Sequence, residues 1–224
     1  MPDNMEVNVW MRYKNARYNF FKWRHELGYS YKIALAFLFA CLTGLLAQMR
    51  LYLPWSPVPI TGQTFAVMLT AIILGRWGGV SQVMYAGIGI AGIPWFAGGK
   101  GGIAAITGPT GGYIIGFIFA SLFLGYFVDK HIRSRTFSGM LLLMLFANFA
   151  IIHSLGLLQL YSWLSLVKHT SIGIWQLLMM GTIPFVAGDL TKIFAVAAMA
   201  KVITPKKAYN GEVDIEKFKN WRLP

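Results

Sequence analysis

Residues 139–159 read GMLLLMLFANFAIIHSLGLLQ, with no Asp, Glu, Lys or Arg among them. As an α-helix rising about 1.5 Å per residue, such a run matches the ~30 Å hydrocarbon core of a bilayer. Moving outward along the chain, similar apolar runs occupy 33–49, 60–76, 80–96, 112–128 and 173–201. The composition agrees, since 56% of the 224 residues are apolar and only 12% are charged, against ~25% charged in a soluble domain. So few charges cannot cover a water-facing surface of this size, and the apolar runs exclude disorder. One cysteine, Cys41, leaves no internal disulfide framework and no multi-cysteine zinc site. The expectation is an all-α integral membrane protein with six transmembrane helices. Residues 1–32 form a basic, aromatic N-terminal segment, 33–203 the membrane domain, and 204–224 a charged tail.

The formal net charge is +12, from 20 Lys and Arg against 8 Asp and Glu. A nucleic-acid partner would call for a basic stripe, whereas these residues cluster at the two ends and in short gaps between apolar runs. Six spans place both termini on one side. With the termini inside, sixteen of the basic residues are cytoplasmic, and only Arg50, Lys100 and Lys168 fall in outer loops. That asymmetry is the positive-inside pattern, so both termini are expected in the cytoplasm of a multi-pass bacterial inner-membrane protein. The stretch MRYKNARYNFFKWRHELGYSYK (11–32) mixes cations with Tyr, Phe and Trp. It suits an amphipathic helix in the headgroup layer, or else a mobile tail.

Two formal motifs carry no nucleotide chemistry. GIGIAG (87–92) fits G-x-G-x-x-G but lies inside an apolar span, with Pro94 following and Asp129 as the next acid. Gly99-Lys100-Gly101 lacks the hydroxyl residue that follows a phosphate-loop lysine. The four histidines, His25, His131, His153 and His169, show no metal-ligand spacing. His153 sits within the fifth span, where a hydrogen bond between helices is its natural use. No nucleophile–base pair stands out, so no enzyme, metal or cofactor is expected.

Between residues 33 and 200 the only acids are Asp129 and Asp189. Asp129 is assigned to a charged cytoplasmic loop. Asp189 lies in PFVAGDLTK (184–192), between apolar runs, with Lys192 three positions on. If Lys201 marks the cytoplasmic boundary, Lys192 lies ~13 Å and Asp189 ~18 Å deep, and an ionisable residue at that depth points to function by default. Pro184 and Gly188 suggest that the sixth span breaks between them, with Asp189 opening a half-helix. The carboxylate could then cap that half-helix, with Lys192 as its neutralising partner, or the pair could bind a polar ligand at the break.

Residues 75–116 hold 14 of the 24 glycines. Within them, IPWFAGGKGGIAAITGPTGGY (93–113) forms the connection from the third to the fourth span, on the outer side, where Lys100 is the only charge. Its glycines would allow close backbone approach to a ligand, with Trp95, Phe96 and Tyr113 supplying flat apolar surface; a flexible loop is the alternative. The first outer loop, YLPWSPVPITGQT (52–64), is stiffened by three prolines and carries Thr61, Gln63 and Thr64, as a structured lid would.

Four segments together resemble the BioY family, the biotin-binding S components of energy-coupling factor transporters. They are SPVPITGQTFAV (56–67), GIPWFAGG (92–99), GPTGGYIIGF (108–117) and PFVAGDLTK (184–192), in the family's order and approximate spacing. The resemblance spans about 35–200. It implies a membrane subunit that captures biotin on the outer side, with Asp189 and Lys192 meeting a polar end of the ligand. It also implies Thr61 and Gln63 in the lid, Tyr85 and Phe96 along the ring and valeryl chain, and Lys100 with Gly98, Gly99 and Gly101 near the mouth. The implied partners are a transmembrane coupling subunit and an ATPase pair. Ala36, Ala40 and Gly44, spaced by four on the first span, could face a partner helix or pack internally. Two further classes stay open: a solitary, proton-linked biotin carrier, and a membrane enzyme built on Asp189 and Lys192.

Overall fold

The computed structural model describes residues 4–218; Lys219 and Arg222 of the expected cytoplasmic tail lie outside the described residues. Helix α1 (Asn4–Glu26) is separated from α2 (Tyr29–Ala47) by Leu27 and the extended Gly28, so the first apolar helix starts four residues before the predicted Ile33. Strands β1 (Arg50–Leu51) and β2 (Ile60–Thr61) pair antiparallel and close the loop between them, a small sheet that the all-α expectation did not include. Then follow α3 (Gln63–Leu74), α4 (Trp77–Ile90), the short α5 (Ile103–Thr107) and α6 (Gly111–Lys130). The fifth run begins at α7 (Phe137–Leu145), where the Thr136 hydroxyl caps the Gly139 amide at 3.2 Å. It continues through a π-helical stretch (Phe146–His153) into α8 (Ser154–Leu166). The sixth comprises α9 (Ile174–Gly181), a 3-10 turn (Ile183–Phe185) and α10 (Val186–Ile203), and α11 (Ile215–Phe218) follows.

Among the described residues, four stretches are long and apolar enough to cross a membrane: Tyr29–Ala47, Gly111–Lys130, Phe137–Leu166 and Ile174–Ile203. Helices α3 and α4, with 12 and 14 residues, reach only ~18 and ~21 Å. Helix α6 is central, packed on α3, α4, the π-helical stretch and α8. Its Gly112 lies against the Leu155 carbonyl with no room for a Cβ, so the backbones touch where a side chain would part them. Ala36, Ala40 and Gly44 are buried inside the chain, where α2 packs on α4 and Gly44 meets the Trp95 ring. This corrects the partner-helix expectation: the stripe is taken up by internal packing.

One end of the bundle gathers buried charge. Arg24 of α1 pairs with Asp129 of α6 at 2.6 Å and donates to the Ile73 carbonyl at 2.8 Å. The other Asp129 oxygen accepts the Arg76 amide at 3.0 Å, and the Asp129 carboxylate fills the space beside Gly75, whose φ of +60° suits glycine. Asp129 is therefore a buried anchor, against the expectation of an ordinary loop acid. Arg135 pairs with Glu212 at 2.6 Å, both side chains fully buried. The Tyr209 ring lies between the two guanidiniums, 5.7 Å from Arg24 and 4.6 Å from Arg135. Tyr13 and Arg17 of α1 both donate to the Val202 carbonyl at the end of α10. The N-terminal segment is thus a docked helix and not a mobile tail.

Burial alone would raise the Glu212 pKa, but the Tyr209 and Asn210 amides and the Arg135 guanidinium outweigh it and hold the carboxyl below its ordinary 4.5. A depressed carboxylate stabilises the fold above its unfolded value, and that contribution is lost as pH falls through the folded value. Glu212→Gln, which leaves Arg135 buried without its anion, should destabilise by roughly 3–5 kcal/mol at neutral pH and flatten part of the loss below pH 4.5. Melting temperatures in detergent at pH 7 and below 4.5 check this; an unchanged neutral value would mean the pair contributes nothing.

Candidate functional site

At the opposite end of the bundle, the lid, the glycine-rich connection and the starts of α6 and α10 enclose a cavity of about 400 Å³. The break in the sixth run shapes its floor. Thr182 leaves helical geometry (φ −136°, ψ −55°), and Pro184 sits in the 3-10 turn, where its missing amide costs nothing. The interruption lies upstream of the predicted Pro184–Gly188 position, and Gly188 is an ordinary residue of α10. The carbonyl freed at Gly181 accepts from the Tyr113 hydroxyl at 2.7 Å and faces His153 Nδ1 at 3.2 Å. Asp189 is then the fourth residue of α10, inside its first turn, and caps nothing.

Its carboxylate is instead met by four side chains. Oδ1 accepts from Lys192 Nζ at 2.7 Å and Thr64 Oγ1 at 3.3 Å; Oδ2 accepts from Asn148 Nδ2 at 3.0 Å and lies 2.9 Å from His153 Nε2. A carboxylate oxygen only accepts, so Nε2 carries the proton, and Nδ1 can take the Thr182 hydroxyl at 3.2 Å as its donor. Lys192 spends its other two protons on the Thr64 hydroxyl at 2.8 Å and the Thr61 carbonyl at 2.9 Å. Ion, counter-ion and hydrogen bonds close on themselves, the condition under which a charge is tolerable inside an apolar bundle. The Lys192 side chain keeps 18% exposure against 3% for Asp189, so lysine is the more accessible member of the pair, and both line the cavity.

Asn148 and His153 were not among the expected site residues. In an α-helix, residues five apart point to different sides; π-helical i→i+5 bonding stacks them, and the stretch Phe146–His153 aims both at Asp189. The readable signal was two polar residues in the apolar run of 139–159. The local change of helix type was not.

The walls are mostly apolar: Val58 of the lid, Phe96, Ile114, Phe117, Ile152 and Phe185. The lid is fastened at its base by the β1–β2 pair and in its middle by the Ser56 hydroxyl donating to the Met180 carbonyl at 2.6 Å. In the glycine-rich connection the Phe96 amide donates to the Lys100 carbonyl at 2.9 Å, while Gly98 and Gly99 take φ of +89° and +66° to turn the chain. Of the expected residues, Thr61, Gln63, Phe96, Lys100, Gly101, Asp189 and Lys192 line the cavity, with Lys100 exposed at its rim. Tyr85 does not: it is fully buried behind the wall, with Gln63 Nε2 donating to its hydroxyl at 2.8 Å and its ring edge-to-face with Phe96. Gly98 and Gly99 shape the turn without lining the cavity. Among the described residues no group of three or more His, Cys, Asp or Glu could hold a metal.

His153→Phe removes one donor from Asp189 and the partner of Thr182. A hydrogen bond to a charged group is worth ~1.5–3 kcal/mol, so the melting temperature in detergent should drop accordingly; an unchanged value would show the contact to be dispensable.

The chain is similar to several known proteins. A family model described as the BioY family matches residues 16–209. A protein of Methanothermobacter thermautotrophicus, named "Probable biotin transporter BioY", is 50% identical over 157 residues, covering 70% of this chain and all of its own length. The "Biotin transporter BioY" of Thermotoga maritima is 34% identical over 151 residues, 66% of this chain and 82% of that protein. A crystal structure titled as the S-component for biotin from an ECF-type ABC transporter superposes with a TM-score of 0.67 at 23% identity, covering 78% of this chain and 93% of the other.

Proposed function

The chain belongs to the BioY family, and from that premise we propose that it is a biotin-binding membrane subunit for vitamin uptake. In this reading six helices cross the bilayer with both termini in the cytoplasm. The buried-charge end then faces inward and the cavity outward, so biotin enters under the lid from outside. The observation that carries the proposal is the Asp189–Lys192 pair at the floor of an apolar, lidded cavity.

Biotin offers a ureido group with two donors and an acceptor, an apolar bicycle and a carboxylate on a short chain. Phe96, Ile114, Phe117 and Phe185 supply the apolar walls. Lys192, the more accessible member of the ion pair, and Lys100 at the rim are the two ammoniums available to polar ends of the ligand. Asp189 acts chiefly as organiser, since its four bonds set the direction of Lys192, Asn148 and His153. A ligand atom at the floor must exchange with one of the three bonds of Lys192, which tunes affinity against release.

Release to the cytoplasm is assigned to a transmembrane coupling subunit with an ATPase pair. The support for these partners is the fold likeness to a protein titled as an S-component of an ECF-type ABC transporter.

Equilibrium binding of labelled biotin to the purified chain, with desthiobiotin and a biotin amide as competitors, tests the ligand. Tight binding for which the amide competes poorly is expected, because an ammonium reads the carboxylate. A folded chain that binds no biotin would overturn the assignment. Asp189→Asn combined with Lys192→Met should abolish binding while the protein stays folded, and Lys100→Ala should weaken it less. Retained tight binding by the double variant would return the pair to a structural role.

A further inference from the structure

A second cavity, of about 170 Å³, opens at the buried-charge end between α1, α2 and the start of α4. Arg24, His25, Lys32 and Arg76 line it together with Leu35, Leu74 and Trp77, and Asp129 and Asn210 also contribute. Its charges do not cancel. Asp129 is spent on Arg24 and on the Arg76 amide, and Glu26, next to His25, faces Lys22 at 3.7 Å. Lys32 meets the His25 carbonyl at 2.8 Å and the Tyr29 ring, neither of them an anion. Among the described residues the Arg76 guanidinium has no hydrogen-bond or ion-pair partner at all. Burial and the neighbouring Lys32 ammonium hold the His25 pKa below its ordinary 6.5, which leaves a neutral imidazole N–H to donate.

Two unneutralised cations and an imidazole thus converge on a recess that also holds the Arg24–Asp129 pair and Asn210 and has Leu35, Leu74 and Trp77 as its apolar wall. That wall leads onto the outward face of α2, where Ile33 and Phe37 are about half exposed. We propose that this cavity binds a phosphate-bearing anion, supplied by the headgroup of an anionic phospholipid. Lys32 and Arg76 grip the phosphate, Trp77 and Leu35 meet the glycerol, and the acyl chains run down α2. Basic recesses between helices at the cytoplasmic boundary suit such headgroups. The volume holds a headgroup and not a whole lipid, so the tails must lie outside, along the apolar face the structure provides. The inference rests on the proposed orientation only for its leaflet, and it is independent of the biotin site at the other end of the bundle.

The test is thermal stability of the purified full chain in neutral detergent, titrated with phosphatidylglycerol, with phosphatidylcholine of the same acyl chains, and with inorganic phosphate. Phosphatidylglycerol should stabilise the parent where phosphatidylcholine does not. Lys32→Gln and Arg76→Gln should each shift the required lipid concentration upward about fivefold, Arg76→Lys should restore the response, and biotin affinity should stay as in the parent. Equal responses to the two lipids, or an undiminished response in Arg76→Gln, would overturn the site. Stabilisation by inorganic phosphate alone would overturn the lipid as its source. Because Arg76 is exposed, its variant keeps the test decisive even where the Lys32 change perturbs folding.

Discussion

A carboxylate inside an apolar bundle must be matched by donors or give up its charge, and much of the cavity end of this molecule is arranged around that demand at Asp189. Its donors come from the start of α3, from the π-helical stretch and from α10 itself. Three elements distant in sequence are therefore drawn to one point. The same contacts orient Lys192, which reaches on to the end of the lid at Thr61. The buried carboxylate thus joins the lid to the floor of the cavity through Lys192.

Two departures from regular helix serve that point. The interruption at Thr182–Phe185 lets α9 and α10 take separate courses, and the carbonyl it frees at Gly181 is met by Tyr113 and approached by His153. The π-helical stretch across from it turns Asn148 and His153 inward together. One frees the Gly181 carbonyl, which the Tyr113 hydroxyl of α6 satisfies, and the other brings the side chains that hold Asp189. Irregular backbone at membrane depth is tolerated where it is buried in protein or lines a cavity, and both conditions hold here.

Much of this could be read from the sequence. Hydropathy located the helices because lipid exposure demands unbroken apolar runs, and Asp189 stood out because so few acids interrupt them. Proline spacing marked the lid, and glycine density marked the connection that folds over Phe96. What escaped depended on geometry. Tyr85 has the composition of a lining residue but sits behind Gln63 and Phe96, and no spacing rule distinguishes the second layer of a wall from the first. The helix break fell ahead of Pro184, because proline fits the first turn of the following helix and the rupture then precedes it. The Ala36–Gly44 stripe fits a partner helix and an internal one equally well, and only the fold assigned it to α4. Asp129 looked like a loop acid because its partner, Arg24, is remote in sequence.

The docking of α1 bears on how the chain is made. Its anchors are the Val202 carbonyl, Asp129 and the Tyr209 hydroxyl. Residues 4–26 leave the ribosome well before residues 202–209, so the seat for α1 does not exist until α10 and the segment after it have been made. A helix made early therefore waits for a partner made much later, and a chain arrested before Val202 leaves α1 without that anchor.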